Sequence, residues 1–390
     1  MLKIDVLCCL QQSGTYGVLD HFRTGLNQAL LSIGVDSQLH QFNIEAPQQL
    51  IGVLNERRPD CTVMFNGVSP MIGNQLISDI LQIPHIVYLV DTPFYAISLR
   101  ESPMTFFTSV DRSVIPFYQQ LGFHDMFFMP HAVEKSLSFD LGADRPYDVV
   151  MPASCIDYEG RIKGWPHIFN PEHCEVMRAA VDMVCQNRSM QCYEALVASL
   201  EARRTNVNMT DDQVQFALRE IEINVRGRDR VALVRSIKRG TVHIFGRGEF
   251  SCGWEKYVEG CSNVVVHPGL SFNETLDVMK KSKVVLHSCP VFPDGSHERP
   301  LAALACGAAV ISSTSLYLKE QFPEKSGVFF YDSPDSGEID QAVSYYLENP
   351  VERSAEVLSG RNIVMGAHTW DHRAAQIVEK VMTLFRKSSE

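Results

Sequence analysis

The stretch VVLHSCPVFPDGSHERPLAALACGAAVISS, residues 284–313, reads as strand, loop, helix and strand in direct succession. Val284, Val285 and Leu286 form a short apolar run, and Pro290, Pro293 and Gly295 keep the following loop out of a helix. A helix is expected from Ser296 or His297 to Cys306, where Gly307 stops it, with residues 308–311 as the next strand. Gly295 and Ser296 supply a turn and a cap, so the helix starts with its N–H groups open above the sheet. That end also carries the positive pole of the peptide dipoles, an arrangement suited to a diphosphate. His297, Glu298 and Arg299 all fall in the first turn, more chemistry than a purely structural helix start requires.

Strand-like and helix-like segments alternate on both sides of this stretch, the pattern of a parallel sheet covered on two faces. Residues 4–10, 62–65, 86–90, 104–108 and 126–129 read as strands of a first α/β unit, with a helical pattern over 18–33. A second unit opens with a strand at Tyr147 and continues through strands at 241–246, 264–269 and 328–332. Between its first two strands, residues 166–239 are helical in pattern, rich in charge and without strands, an insertion that could serve as lid or acceptor platform. The basic run RGRDRVALVRSIKR, 226–239, reads as a solvated helix face.

Composition narrows the class of partner. With 390 residues, 45% of them hydrophobic, the chain is long enough for two domains. A net charge of −11 argues against a nucleic-acid backbone or an anionic membrane as the main partner. No apolar run approaches the roughly 18 residues of a transmembrane segment, and MLKIDVLCCL reads as a first core strand, not a signal peptide. Eleven cysteines without a CxxC pair or zinc spacing suggest reduced thiols in a cytoplasmic protein and no structural metal.

Aligned on LAALACG, residues 301–307, the opening stretch resembles the donor-binding motif of GT-B glycosyltransferases, E-G-x-G-x-x-x-x-E-A-x-A-C-G-x-P-V-I. HERPLAALACGA, 297–308, and HTWDHRA, 368–374, are similar to the spore-maturation protein CgeB-like branch of that group. The resemblance covers roughly residues 145–385, and the first 140 only loosely. It implies an α/β fold of GT-B type, two Rossmann-like domains facing a cleft with a helical insertion in the second. Residues 1–135 would form the acceptor-side domain and 140–370 the nucleotide-sugar domain, with the insertion at about 166–239. Residues 371–390 would be a C-terminal helix packing back on the first domain.

The resemblance implies a hexosyltransferase moving a sugar from a nucleotide-sugar, expected to be a UDP-sugar, to a hydroxyl on a protein, glycan or small molecule. No cofactor beyond the donor is expected, and the chain carries no convincing D-x-D metal motif. Likeness to family 4 implies retention of configuration, but two positions depart from that family. Ala302 stands where its members carry the glutamate that grips the donor ribose, and Asp294 stands at the first glutamate of their pair. Glu298, one helical turn before Ala302, either replaces that grip or merely suits the helix dipole. Asp294 is a candidate for the sugar hydroxyls, with Gly295, Ser296, His297 and Arg299 around the phosphates.

Elsewhere, Arg161 and Lys163 match the kind of residue that family members place in the loop after the first strand of this domain to meet the diphosphate. The alternative is a basic surface loop. Gly246 and Arg247 end a strand where relatives pass close to the nucleotide, or else form a plain turn. In the first domain, Gly14 lies in a strand-to-helix loop, Asp91 ends a strand as the candidate acceptor-side base, and His131 stands at the interdomain connection. Two rival readings remain: a GT-B epimerase or hydrolase, and a non-catalytic GT-B partner module, which the missing glutamate at Ala302 keeps open.

Overall fold

The computed structural model of the chain describes residues 1–12, 15–67, 71–73, 75–92, 102–123, 125–140, 142–203, 209–248, 252–334 and 336–387. It divides into two compact units, Met1–Leu137 together with Val364–Glu390, and Ser138–Ile363.

In chain order the first unit contains β1 (Ile4–Cys9), α1 (Val18–Ser32), β2 (Leu39–Phe42), α2 (Pro47–Arg57), β3 (Cys61–Phe65), β4 (Met71–Ile72), β5 (Gln75–Leu76), α3 (Ile77–Leu81), β6 (His85–Tyr88), β7 (Thr105–Ser109), α4 (Ile115–Gln120) and β8 (Phe127–Phe128). Its main sheet has the order β2-β1-β3-β6-β7-β8, and every pairing is parallel. β1, β3 and β6 are buried along their whole length, which is why they read as continuous apolar runs. The exception within β1 is Asp5, fully buried and matched by the Arg57 guanidinium at 3.3 Å and the His40 ring at 2.9 Å.

The second unit contains β9 (Tyr147–Met151), α5 (Tyr158–Gly164), α6 (Pro171–Gln186), α7 (Cys192–Ala202), α8 (Asp211–Ser236), β10 (Val242–Phe245), α9 (Trp254–Tyr257), β11 (Val264–His267), α10 (Phe272–Lys280), β12 (Ser282–His287), α11 (Glu298–Ala305), β13 (Ala309–Ser313), α12 (Leu316–Gln321), β14 (Val328–Tyr331) and α13 (Glu338–Glu348). The order β11-β10-β9-β12-β13-β14 is again all parallel. Strand order reverses between β9 and β12, so their carboxyl ends diverge into separate loops and leave a crevice there. Between β9 and β10, the expected insertion range 166–239 contains the helices α6 to α8 and no strand among the described residues, while α5 precedes it.

α14 (Pro350–Ala367) carries the chain back toward the first unit, where α15 (Trp370–Lys387) packs on α1. Gly25 of α1 makes that approach possible: a Cβ there would stand 2.6 Å from the Trp370 ring. No helix among the described residues is long and apolar enough to cross a membrane.

Candidate active site

β12 delivers its last residue, His287, to the crevice beside the end of β9, and residues 288–297 lead from it into α11. The loop is tied down on its far side. The Cys289 N–H donates to Ser313 Oγ at 2.9 Å, the Leu316 N–H to the Pro293 carbonyl at 2.7 Å, and Ser315 Oγ to the Gly295 carbonyl at 2.6 Å. α11 buries Pro300 to Ala305 completely, which leaves its first turn as the part available for chemistry. Gly307, at φ 85°, ends it. A Cβ there would lie 2.2 Å from the Arg145 guanidinium, which donates to the Cys306 carbonyl at the helix end.

The residue at the N-cap is His297, whereas the sequence pointed to Ser296, which is buried at 1% exposure. His297 Nδ1 lies 2.6 Å from the Glu298 carboxylate and 3.3 Å from the Arg299 N–H. One nitrogen cannot donate to the first and accept from the second. The shorter, charge-assisted contact decides, so Nδ1 carries the proton and gives it to Glu298. Glu298 also faces Arg299 at 3.9 Å and keeps 13% of its side chain exposed.

Across the crevice α8 brings two more guanidinium groups, Arg226 and Arg230, one helical turn apart. Arg230 is 6% exposed; its Nη1 donates to the Ser154 carbonyl beyond β9 at 3.0 Å, and its Nε has no partner. Arg226 sits 3.4 Å from Glu222. The three arginines lie in one another's field. Burial, reinforced by Arg226 and Arg299, pulls Arg230 down to about 9, and burial also lowers Arg299. Buried Arg299 Nη1 also lacks a partner. Three guanidinium groups against two carboxylates leave an excess positive charge, which an anion would offset. The reading of 226–239 as a solvated face is therefore corrected. Gly227 explains the burial, since its bare Cα lets α8 close on the loop after β9, where a Cβ would stand 2.9 Å from Ile156.

Beneath this cluster Asp229 acts as an anchor at 1% exposure. Its carboxylate accepts from Ser288 Oγ at 2.6 Å and Tyr331 OH at 2.7 Å, and pairs with Arg188 at 2.9 Å. It fixes the start of the 288–297 loop to α8 and β14. His287 and His297 face each other with ring centroids 4.8 Å apart. Burial holds both rings below the ordinary histidine range and raises the neighbouring Cys289 thiol to about 12. Imidazole nitrogens of the two histidines and Cys289 Sγ lie within 4.8 Å of one another.

Other expected residues fall in different settings. Arg161 is taken by Glu220, whose buried carboxylate accepts from Arg161 at 2.6 Å and from the Trp165 indole at 3.0 Å. That pairing neutralises the charge a phosphate would need. Lys163 is exposed on α5. Gly246 is required by packing, because a Cβ there would stand 1.9 Å from the Ala153 carbonyl oxygen. Arg247 is exposed, with its carbonyl accepting from the Cys155 N–H. Asp294 is half-buried in the loop before α11, and Gly295 is buried beside it.

In the first unit, exposed Asp91 accepts from Asn66 Nδ2 at 2.6 Å. His131 is 2% exposed and edge-on to Phe22 in the core, a position that keeps it from a sugar. Gly14 lies outside the described residues. Sequence reading missed Arg230, Arg226 and Asp229. The signal that could have found them is Gly227, a helix-interior glycine among charged residues, which marks a close approach.

Residues 227–379 match the family described as glycosyl transferase-like. No curated protein matches the chain by sequence. Sucrose-phosphate synthase from Thermosynechococcus elongatus has a similar structure, with a TM-score of 0.57 at 10% identity over 99% of this chain and 100% of that one. Anabaena HepE in complex with UDP-glucose has a TM-score of 0.58 at 11% identity over 98% and 100%. A glycosyltransferase from Rickettsia africae has a TM-score of 0.57 at 8% identity over 98% of both. The chain thus has a GT-B fold, and α11 and most of the arginine cluster lie in the span that matches the glycosyl transferase-like family.

Proposed function

We propose that this GT-B protein transfers a sugar from a nucleoside-diphosphate donor, a UDP-sugar by preference, to a hydroxyl of a protein, glycan or small molecule. The observation that carries the reading is the convergence of Arg226, Arg230 and Arg299 on the open N-terminus of α11, inside the glycosyltransferase domain. Charge develops on the leaving diphosphate during transfer, and preorganised guanidinium groups and helix N–H groups stabilise it most where water is excluded. In this reading they do so without a metal at the phosphates. Glu298 accepts from the ribose hydroxyls, and its contact with His297 holds it in place. Asp294 faces the sugar, and Asp91 serves as the acceptor-side base. The UDP preference is supported by HepE, which binds UDP-glucose. The HER and HTWDHRA segments support placing the chain in the CgeB-like branch.

Calorimetry with UDP, GDP, CMP, dTDP and ADP tests this, repeated on Glu298→Ala. One nucleotide should bind selectively and lose at least tenfold in affinity in the variant, about 1.4 kcal/mol. Binding of none would overturn the reading. Selective binding without turnover of any donor would instead favour a non-catalytic module, a rival that the absent carboxylate at Ala302 supports.

A further inference from the structure

We propose that His287, Cys289 and His297 form a binding site for a thiophilic d10 metal ion of the Zn2+ type, clamping the end of β12 to the start of α11. The inference stands apart from sugar transfer and does not depend on it.

The unpartnered ring nitrogen of His287, inside a cluster with Cys289 and His297, carries the argument. Ser312 Oγ has one hydrogen, and it is donated to the Ser313 carbonyl at 2.9 Å. With that hydrogen on the carbonyl, His287 Nδ1, 2.9 Å from the same Oγ, is the donor in their contact. Its other nitrogen, Nε2, is buried without a partner in a residue only 2% exposed, and in that tautomer it is a lone pair. A buried acceptor of this kind calls for a cation or a donor. His297 is held in the same way, with Nδ1–H directed at the Glu298 carboxylate 2.6 Å away. An imidazole whose far nitrogen is tied to an oxygen acceptor is the usual outer arrangement around a zinc-ligating histidine.

Cys289 adds a soft sulfur, and it lies within 4.8 Å of one ring nitrogen of each histidine, which are as close to each other. Tetrahedral zinc with bonds of about 2.0–2.3 Å would need separations of roughly 3.4–3.6 Å, so the set must contract by about 1 Å. On binding, the thiol proton leaves to solvent and sulfur binds as thiolate. Arg226, Arg230 and Arg299 oppose the cation, and Glu222, Glu298 and the new thiolate balance only the three guanidinium groups, so the net charge of the cluster weakens the site.

The test is calorimetric titration of the chelator-stripped full chain with Zn2+, no nucleotide present, and a Co2+ absorption spectrum alongside. We expect one ion per chain and a thiolate-to-Co2+ charge-transfer band. Cys289→Ser should abolish the band, and both Cys289→Ser and His287→Gln should weaken Zn2+ at least tenfold without shifting the melting of the metal-free protein. If Cys289→Ser does not fold, His287→Gln carries the same test alone. No saturable binding, as when a trapped water satisfies His287, would overturn the proposal. So would binding of unchanged affinity in the folded variants, which would place the ion on other thiols.

Discussion

Gly246 shows how packing alone can require a glycine. Its Cα faces the Ala153 carbonyl so closely that any Cβ would sit 1.9 Å from the oxygen. Gly246→Ala should therefore cost about 1–3 kcal/mol in urea melts and leave nucleotide affinity unchanged once folded. Arg161 and Arg230 make the converse pair. Both are arginines of the second unit, but Arg161 ends on Glu220 and Arg230 in the crevice with an orphan Nε. Arg230→Gln should lower nucleoside-diphosphate affinity at least tenfold, about 1.4 kcal/mol, with binding read by calorimetry. Arg161→Gln should leave affinity near wild type and lower stability, because Glu220 keeps only the Trp165 indole.

Among the elements, α11 was legible because its signals are local: prolines before it, a glycine after it, and an apolar face between. Even there the cap moved from Ser296 to His297, since Ser296 is buried in the packed loop. α8 was legible as a helix but not by its function. Arg226 and Arg230 look like solvated charge until the loop after β9 covers them, and that loop lies far away in sequence. The α1–α15 pair is a similar case in the first unit, where a glycine is matched to a tryptophan far along the chain. Gly25→Val should push Trp370 out of its slot and destabilise the chain by about 1–3 kcal/mol, measurable by thermal melting and by Trp fluorescence.

For the whole molecule, acid sensitivity follows from neutral buried histidines. Burial holds His85 and His368 at about 4, against 6.5 when exposed. As pH falls, the unfolded chain protonates these rings first, so stability is level above pH 6.5 and declines from there toward pH 4. Each ring contributes a slope of up to ~1.4 kcal/mol per pH unit in that window. Urea midpoints between pH 7.5 and 5, on the order of the window just given, should fall before the carboxylates titrate, and a flat profile there would contradict the burial of these rings.

The amino-acid order alone determined the alternation of strands and helices, the two α/β units, the inserted helices and the strand–loop–helix–strand segment at 284–313. These are periodic or local properties, set by side-chain pattern and by glycine and proline within a few residues. Only the tertiary structure decided which charges act together. Strand order brings the ends of β9 and β12 side by side, and α8 then lays Arg226 and Arg230 against α11 while Glu220 removes Arg161. Coulomb interactions and hydrogen bonds depend on distance in space, and the distances between such residues are fixed by the packed core and not by their separation along the chain.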